Sequence, residues 1–251
     1  DTIYINSVSD LLSLAKSCAY DQWSVGKTVI LQKDLSLEGM LWEPIPSFSG
    51  QFKGNGHTIS DLTITGQYSP AGLFDIVEEQ GSVESLSVRG IVSVSDSADT
   101  TTGGIVGINH GTLINCQFTG VVTGDSEVGG IVGRNESEGT IDHSTARAIV
   151  TGKSSTGGIA GYNLGAITGC TNVGSINTEY QEASLDTDGF TAKMVDYINN
   201  KMAAADDDAT NSVTNVATDT GGIAGRSSGM ILTSVNTGTV GYEHIGYNVG
   251  G

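Results

Sequence analysis

Apolar and polar residues alternate along most of this chain, and beyond residue 66 they do so in units that can be laid over one another. Leu86, Val88 and Val92 in one unit stand where Cys116, Phe118 and Val122 stand in the next. The same columns continue through Ser144, Ala146 and Val150, then Cys170, Asn172 and Ile176, then Ser234, Asn236 and Val240. Each unit holds three short strand-like pieces separated by Gly or Asn-Gly corners. The pentapeptide Gly103-Gly104-Ile105-Val106-Gly107 marks the period, returning at 129, 157 and 221 after intervals of 26, 28 and 64 residues. Short strands at such a period predict a parallel β-helix with coils stacked about 4.8 Å apart. Apolar columns then face inward and stack on their equivalents one coil away. Corner glycines are expected to supply positive φ and let the backbone bend without a Cβ clash. Asn109, Asn135 and Asn163 fall in one corner column, where side-chain amides can bond from coil to coil until Ser227 ends the row.

Residues 1–65 lack the glycine repeat and read as an N-terminal cap with the first coils; 66–251 read as the repeats. Ile3-Tyr4-Ile5 alternates like a strand, and Ser7 or Ser9 can cap a helix over Asp10 to Tyr20, whose Leu11, Leu14, Ala15 and Cys18 recur at helical spacing. A solenoid end exposes apolar side chains and strand edges, so a covering helix is expected there. Asn55-Gly56 signals a tight turn, and His57 beside it reads as a turn or ladder residue. The long interval after Gly157 holds an insertion at about 179–220. Phe190, Met194, Tyr197, Ile198 and Met202 predict a helix over 191–205 packed outside the coil, stopping near Asp206-Asp207-Asp208.

Composition sharpens this picture in two places. Glycine, at 36 residues of 251, is about twice its usual share, but only three prolines accompany it, so it serves the repeat rather than a collagen or linker. The 11 basic against 28 acidic residues give a net charge of −17, which argues against nucleic acid and anionic membranes. From Glu179 to Asp219, nine acidic residues face Lys193 and Lys201 alone. No apolar run is long enough for a membrane span. The chain opens at Asp1 without a leader, as a mature or trimmed chain would, and Gly250-Gly251 opens a unit that expects further repeats or domains.

Candidate chemistry is sparse. Carbohydrate-cleaving sites need paired carboxylates converging in a groove. The outward columns Gln117, Thr145, Thr171, Val235 and Thr119, Arg147, Val173, Thr237 contain none. Asp142 and His143 are adjacent, so on one strand they would point to opposite faces. No His-Glu-x-x-His is present, and the four histidines (57, 110, 143, 244) lie in unrelated contexts. Asp186-Thr187-Asp188-Gly189 looks like part of a calcium loop, but Ser184 and Val195 stand where further ligands are needed, and an ordinary acidic turn fits better. Cys116 and Cys170 share an inward column two coils apart, about 9.6 Å, too far for a disulfide, and read as free buried thiols; with Cys18 the count is odd, and no disulfide framework is expected. No catalytic residue, metal or cofactor is assigned, and no binding residue is named.

Gly103 to Cys116 and Gly157 to Cys170 resemble the GLUG-motif repeats of bacterial surface and secreted proteins: Gly-Gly-Ile/Val-Val/Ala-Gly-x-Asn-x-Gly-x-Ile, then an Asn-Cys or related pair. Asp34 to Leu37, Trp42 to Ile45 and Phe52 to Ile59 resemble the lead-in usual in that group. The resemblance implies an all-β, right-handed parallel β-helix, three-sided, with a capping helix and one inserted helical segment. It implies an extracellular or bacterial cell-surface location and an adhesin-like structural or binding role toward a glycan or a host or cell-surface protein. Two alternatives remain open: a polysaccharide-acting β-helix enzyme, and a non-catalytic spacer of a secreted metallopeptidase.

Overall fold

In a computed structural model the described residues are 1–20, 22–94, 99–178, 218–241 and 247–250. They wind into a β-solenoid in which equivalent strands of successive coils pair in parallel. The pieces of each repeat form ladders of eight, nine, six and five strands. The three pieces read from each unit thus become four, because the stretch running into each glycine pair (Thr101–Gly103, Glu127–Gly129, Ser154–Gly157, Thr218–Gly221) pairs as a ladder of its own. The eight-stranded sheet runs the length of the solenoid, from Thr2–Ile5 to Met230–Leu232. The nine-stranded sheet carries the longest strands, such as Gln117–Thr123.

One helix, Val8–Ser17, occurs among the described residues. Ser7 is its N-cap, accepting from the Asp10 N–H, and Leu11 and Leu14 are buried beneath it. The helix stops three residues short of Tyr20, which stands 74% exposed. The core is aromatic at this end, where Phe48, Phe52 and Phe74 pack with ring centroids 5.3–6.2 Å apart. Further along it thins: Phe118 is followed in its row by Ala146, Asn172 and Asn236.

The glycines act differently from expectation. None of the glycines in the four pentapeptides has positive φ. The left-handed corner between the eight- and nine-stranded sheets is taken instead by Ser85, Asn115, His143, Gly169 and Thr233. The pentapeptide glycines are there because something lies where a Cβ would go. A Cβ on Gly133 would sit 2.6 Å from the Thr102 nitrogen and 2.9 Å from Thr101 Cγ2. Gly161 and Gly225 meet Val128 and Thr156 in the same way. The first three strands of the five-stranded sheet therefore each lie directly on a glycine of the next coil, with no side chain between the backbones. The second glycine of each pair faces inward, Gly104 against the Phe118 ring, Gly158 against the Asn172 amide.

The amide row forms as expected. Asn109 Nδ2 donates to Asn135 Oδ1 at 2.8 Å, Asn135 Nδ2 to Asn163 Oδ1 at 2.8 Å, and Asn163 Nδ2 to Ser227 Oγ at 3.1 Å. A second row, Asn172 Nδ2 to Asn236 Oδ1 at 2.8 Å, was not anticipated. The expected helix over 191–205 lies outside the described residues. At the edge of that insertion Asn177, at φ +49°, accepts from the Gly152 N–H at 2.9 Å and donates to Thr220 Oγ1 at 2.9 Å. The amide thereby ties the coil before the insertion to the coil after it.

Candidate binding surface

The longest open surface is the outer face of the eight-stranded sheet. Strict alternation within its short strands puts two residues of each outside and one inside. The register aligns one outer row as Thr2, Thr28, Gln51, Ser82, Thr112, Thr140, Ala166 and Met230. The parallel outer row is Tyr4, Ile30, Lys53, Glu84, Ile114, Asp142, Thr168 and Leu232. The inner row between them is buried through Val29, Phe52, Val83, Leu113, Ile141 and Ile167. Six consecutive polar residues, Thr2 to Thr140, thus stand about 4.8 Å apart over about 24 Å. On the nine-stranded sheet Gln117 Nε2 donates to Thr119 Oγ1 at 3.4 Å, and Thr119 is only 5% exposed.

Glu84 and Asp142 were missed as a pair because the outward columns read from the sequence were those of the nine-stranded sheet alone. They flank Ile114 in one row, two coil spacings or about 9.6 Å apart in backbone position. Asp142 and His143 also correct an expectation. They do not point to opposite faces: the strand ends at Asp142, and His143 turns through φ +45°, so that its Nδ1 meets Asp142 Oδ1 at 2.8 Å. His57 makes a similar contact, Nδ1 to Asp34 Oδ1 at 3.1 Å. Asp34 is held below the usual carboxylate range, first by the Thr58 N–H and then by His57. His57 remains a turn residue, as its sequence setting suggests.

A second polar cluster sits where the six- and five-stranded sheets meet. Arg134 reaches Glu127 at 2.7 Å and Glu136 at 2.6 Å, while Thr101 Oγ1 donates to Glu127. The Tyr162 ring lies between the guanidinium groups of Arg134 and Arg226, 5.0 and 5.4 Å from the ring centroid. These residues share one outward row, a stack that only the coil register makes visible.

Asp75 is the unusual carboxyl group. It faces Gly107 across the six-stranded sheet, where later coils have Gly133, Gly161 and Gly225. Its Oδ1 is buried without a hydrogen-bond partner among the described residues, and burial pushes the group up to about 7.

All three cysteines are free and buried. Ser144 sits between Cys116 and Cys170 in their column, its hydroxyl accepting from the Cys116 N–H at 3.1 Å. Burial pushes the Cys116 thiol up to about 12 and Cys170 and Cys18 to about 11, the settings of packing residues rather than nucleophiles. Among the described residues no group of three His, Cys, Asp or Glu could hold a metal ion. The Asp186–Asp188 turn lies outside them. No described helix is long and apolar enough to cross a membrane.

Comparison with known proteins places the repeat. The GLUG motif matches residues 124–151, one coil of the stack, in agreement with the resemblance read at Gly103 to Cys116 and Gly157 to Cys170. Halomucin of Haloquadratum walsbyi is 36% identical over 100 residues, 39% of this chain but 1% of its own length. A protein of Evansella cellulosilytica described as a Gly-rich membrane protein is 29% identical over 137 residues, 39% of this chain and 16% of its own. The chain therefore corresponds to a small part of either relative. A crystal structure from Bacteroides ovatus, assigned as an immunoglobulin A1 protease, superposes with a TM-score of 0.63 at 18% identity, covering 94% of this chain and 66% of that one. At that identity the likeness is one of fold.

Proposed function

We propose that this chain, a β-solenoid carrying the GLUG motif, is a non-catalytic, adhesin-like binding module of a larger bacterial surface protein. Its partner would be a glycan or a protein of a host or cell surface, and its place outside the cell. The observation that carries this reading is the long open row on the eight-stranded sheet, set on a rigid stack whose buried groups are engaged in packing. Similarity to halomucin and to a protein described as Gly-rich and membrane-associated supports a surface setting. In this reading 1–65 seals one end, 66–251 supplies the repeats, and the chain is one part of a longer protein, as the matched stretches of its relatives are. The likeness to the protein assigned as an immunoglobulin A1 protease also suits a spacer beside a catalytic domain. The test is binding of the chain to an array of glycans and surface proteins. Absence of any saturable binding would refute it.

One observation favours a second reading, a polysaccharide-acting enzyme. Glu84 and Asp142 stand about 9.6 Å apart in backbone position, near the roughly 6.5–9.5 Å that separates the carboxyl groups of inverting glycosidases. Against it, both lie on an open sheet face with no groove among the described residues to exclude water, and Ile114 between them is 36% exposed. New reducing ends released from a polysaccharide panel, and lost in Glu84→Gln, would favour the enzyme.

A further inference from the structure

We infer that the outer face of the eight-stranded sheet binds a neutral, linear polysaccharide lying along the solenoid axis; this deepens the binding-module reading and rests on it. The first ground is unused hydrogen-bonding capacity. The side chains of Thr2, Thr28, Gln51, Ser82, Thr112 and Thr140 make no hydrogen bond to another described residue, whereas Ser36, Ser47 and Thr101 each donate to a carboxylate. Each of these side chains carries both a donor and an acceptor, which matches a sugar hydroxyl.

The second ground is periodicity. The row repeats about every 4.8 Å without a break over six strands, so a polymer of similar rise per ring can repeat one contact at each coil. A globular protein surface without internal repeats offers no such translation. The adjacent row supplies apolar contacts for the C–H faces of sugar rings: Tyr4, 54% exposed, at one end, and Ile30 and Ile114 along it. Protein interfaces concentrate several aromatic residues in a dry centre, and this face carries Tyr4 alone.

The third ground is charge. Along the adjacent row Lys53 is offset by Glu84 and Asp142, and the whole chain carries −17, so sulfated or uronic-acid polymers are repelled. A neutral chain meets no such barrier.

The experiment uses the full chain. Calorimetry with neutral linear hexasaccharides (cello-, chito-, xylo- and manno-) is run beside the corresponding trisaccharides, with heparin as polyanion and a surface-protein array as protein arm. One neutral hexasaccharide should bind, and more tightly than its trisaccharide. Combined Thr28→Val, Thr112→Val and Thr140→Val should weaken it tenfold or more, since three hydrogen bonds are lost. Thr123→Val with Thr151→Val on the nine-stranded sheet should leave it unchanged. The single variants Thr112→Val and Thr140→Val, each expected to lose a few-fold, serve if the triple variant fails to fold. Undiminished binding by the Thr28, Thr112 and Thr140 variants, preference for heparin, or binding confined to the protein arm overturns this inference and leaves the binding module standing. Silence in every arm overturns both.

Discussion

Replacing Asp75 by asparagine isolates one carboxyl group from the 27 others in the chain. In the folded chain burial raises this group from 3.8 to about 7. The unfolded chain should titrate it near its ordinary value, about 3.9. Between those values the folded state holds a proton that the unfolded state has released, so stability falls as pH rises. The stabilisation is full below about pH 4, declines through pH 4 to 7, and is absent above. A shift of about three units sets a ceiling of ~4 kcal/mol at 1.36 kcal/mol per unit. Asp75 is not wholly buried, and relaxation or entering water would bring the observed value to roughly 2 kcal/mol. For a chain of this size that is about 4–8 °C in melting temperature. Thermal melts of the wild type and Asp75→Asn at pH 4, 5, 6, 7 and 8 should diverge progressively, with the variant gaining toward pH 8. The difference between the two curves matters, because the asparagine amide brings its own pH-independent cost in the same pocket. Parallel curves from pH 4 to 8 would refute the argument.

Three further outcomes follow from the packing. Gly133→Ala should cost about 3 kcal/mol, because its methyl group meets the backbone at Thr102 and has no flexible neighbour to displace; a chemical melt with unchanged midpoint would contradict this. Asn135→Ala removes the middle of the amide row and orphans the buried Asn163 Oδ1, while the Gly139 carbonyl keeps the Ala166 N–H, for a loss of about 1–3 kcal/mol in the same assay. Native protein at pH 8 should show negligible thiol labelling by Ellman's reagent, with all three cysteines reacting in guanidinium; rapid labelling in the native state would show that the Cys116 column opens.

Much of the architecture was legible because a solenoid repeats its errors as well as its rules. Asn109, Asn135 and Asn163 recur at one offset, and that offset has a single physical use, a row of amides. Cys116, Ser144 and Cys170 likewise declare their column. Glycine is less informative, since it serves positive φ and close approach alike. At Gly133 the second use prevails, and it becomes visible only when Thr101 and Thr102 of the preceding coil are seen lying over it. The Asp142–His143 contact escaped for a related reason: alternation holds only inside a strand, and His143 begins the corner. The polar row from Thr2 to Thr140 spans strands from the cap region as well as the repeats. A column alignment anchored on the glycine pentapeptide stops before reaching its first members.

The clamp made by Asn177 has a consequence for how such a chain can change. Residues 178 and 218 bracket the excursion that stretches one interval to 64, yet Ser154 still pairs with Thr218 and Asn163 still bonds Ser227 in the next coil. Closing a loop costs only about 0.6 kcal/mol for each doubling of its length, so the corner tolerates cargo that the glycine-lined sheets do not. Variation is thereby channelled to one edge of the stack while the rest keeps its register. The solenoid works as a rack that takes cargo at one corner of the coil, and a foreign segment placed between Gly124 and Glu127 or between Gly152 and Ser154 should be carried in the same way, at the cost of the Asp125–Lys153 contact there.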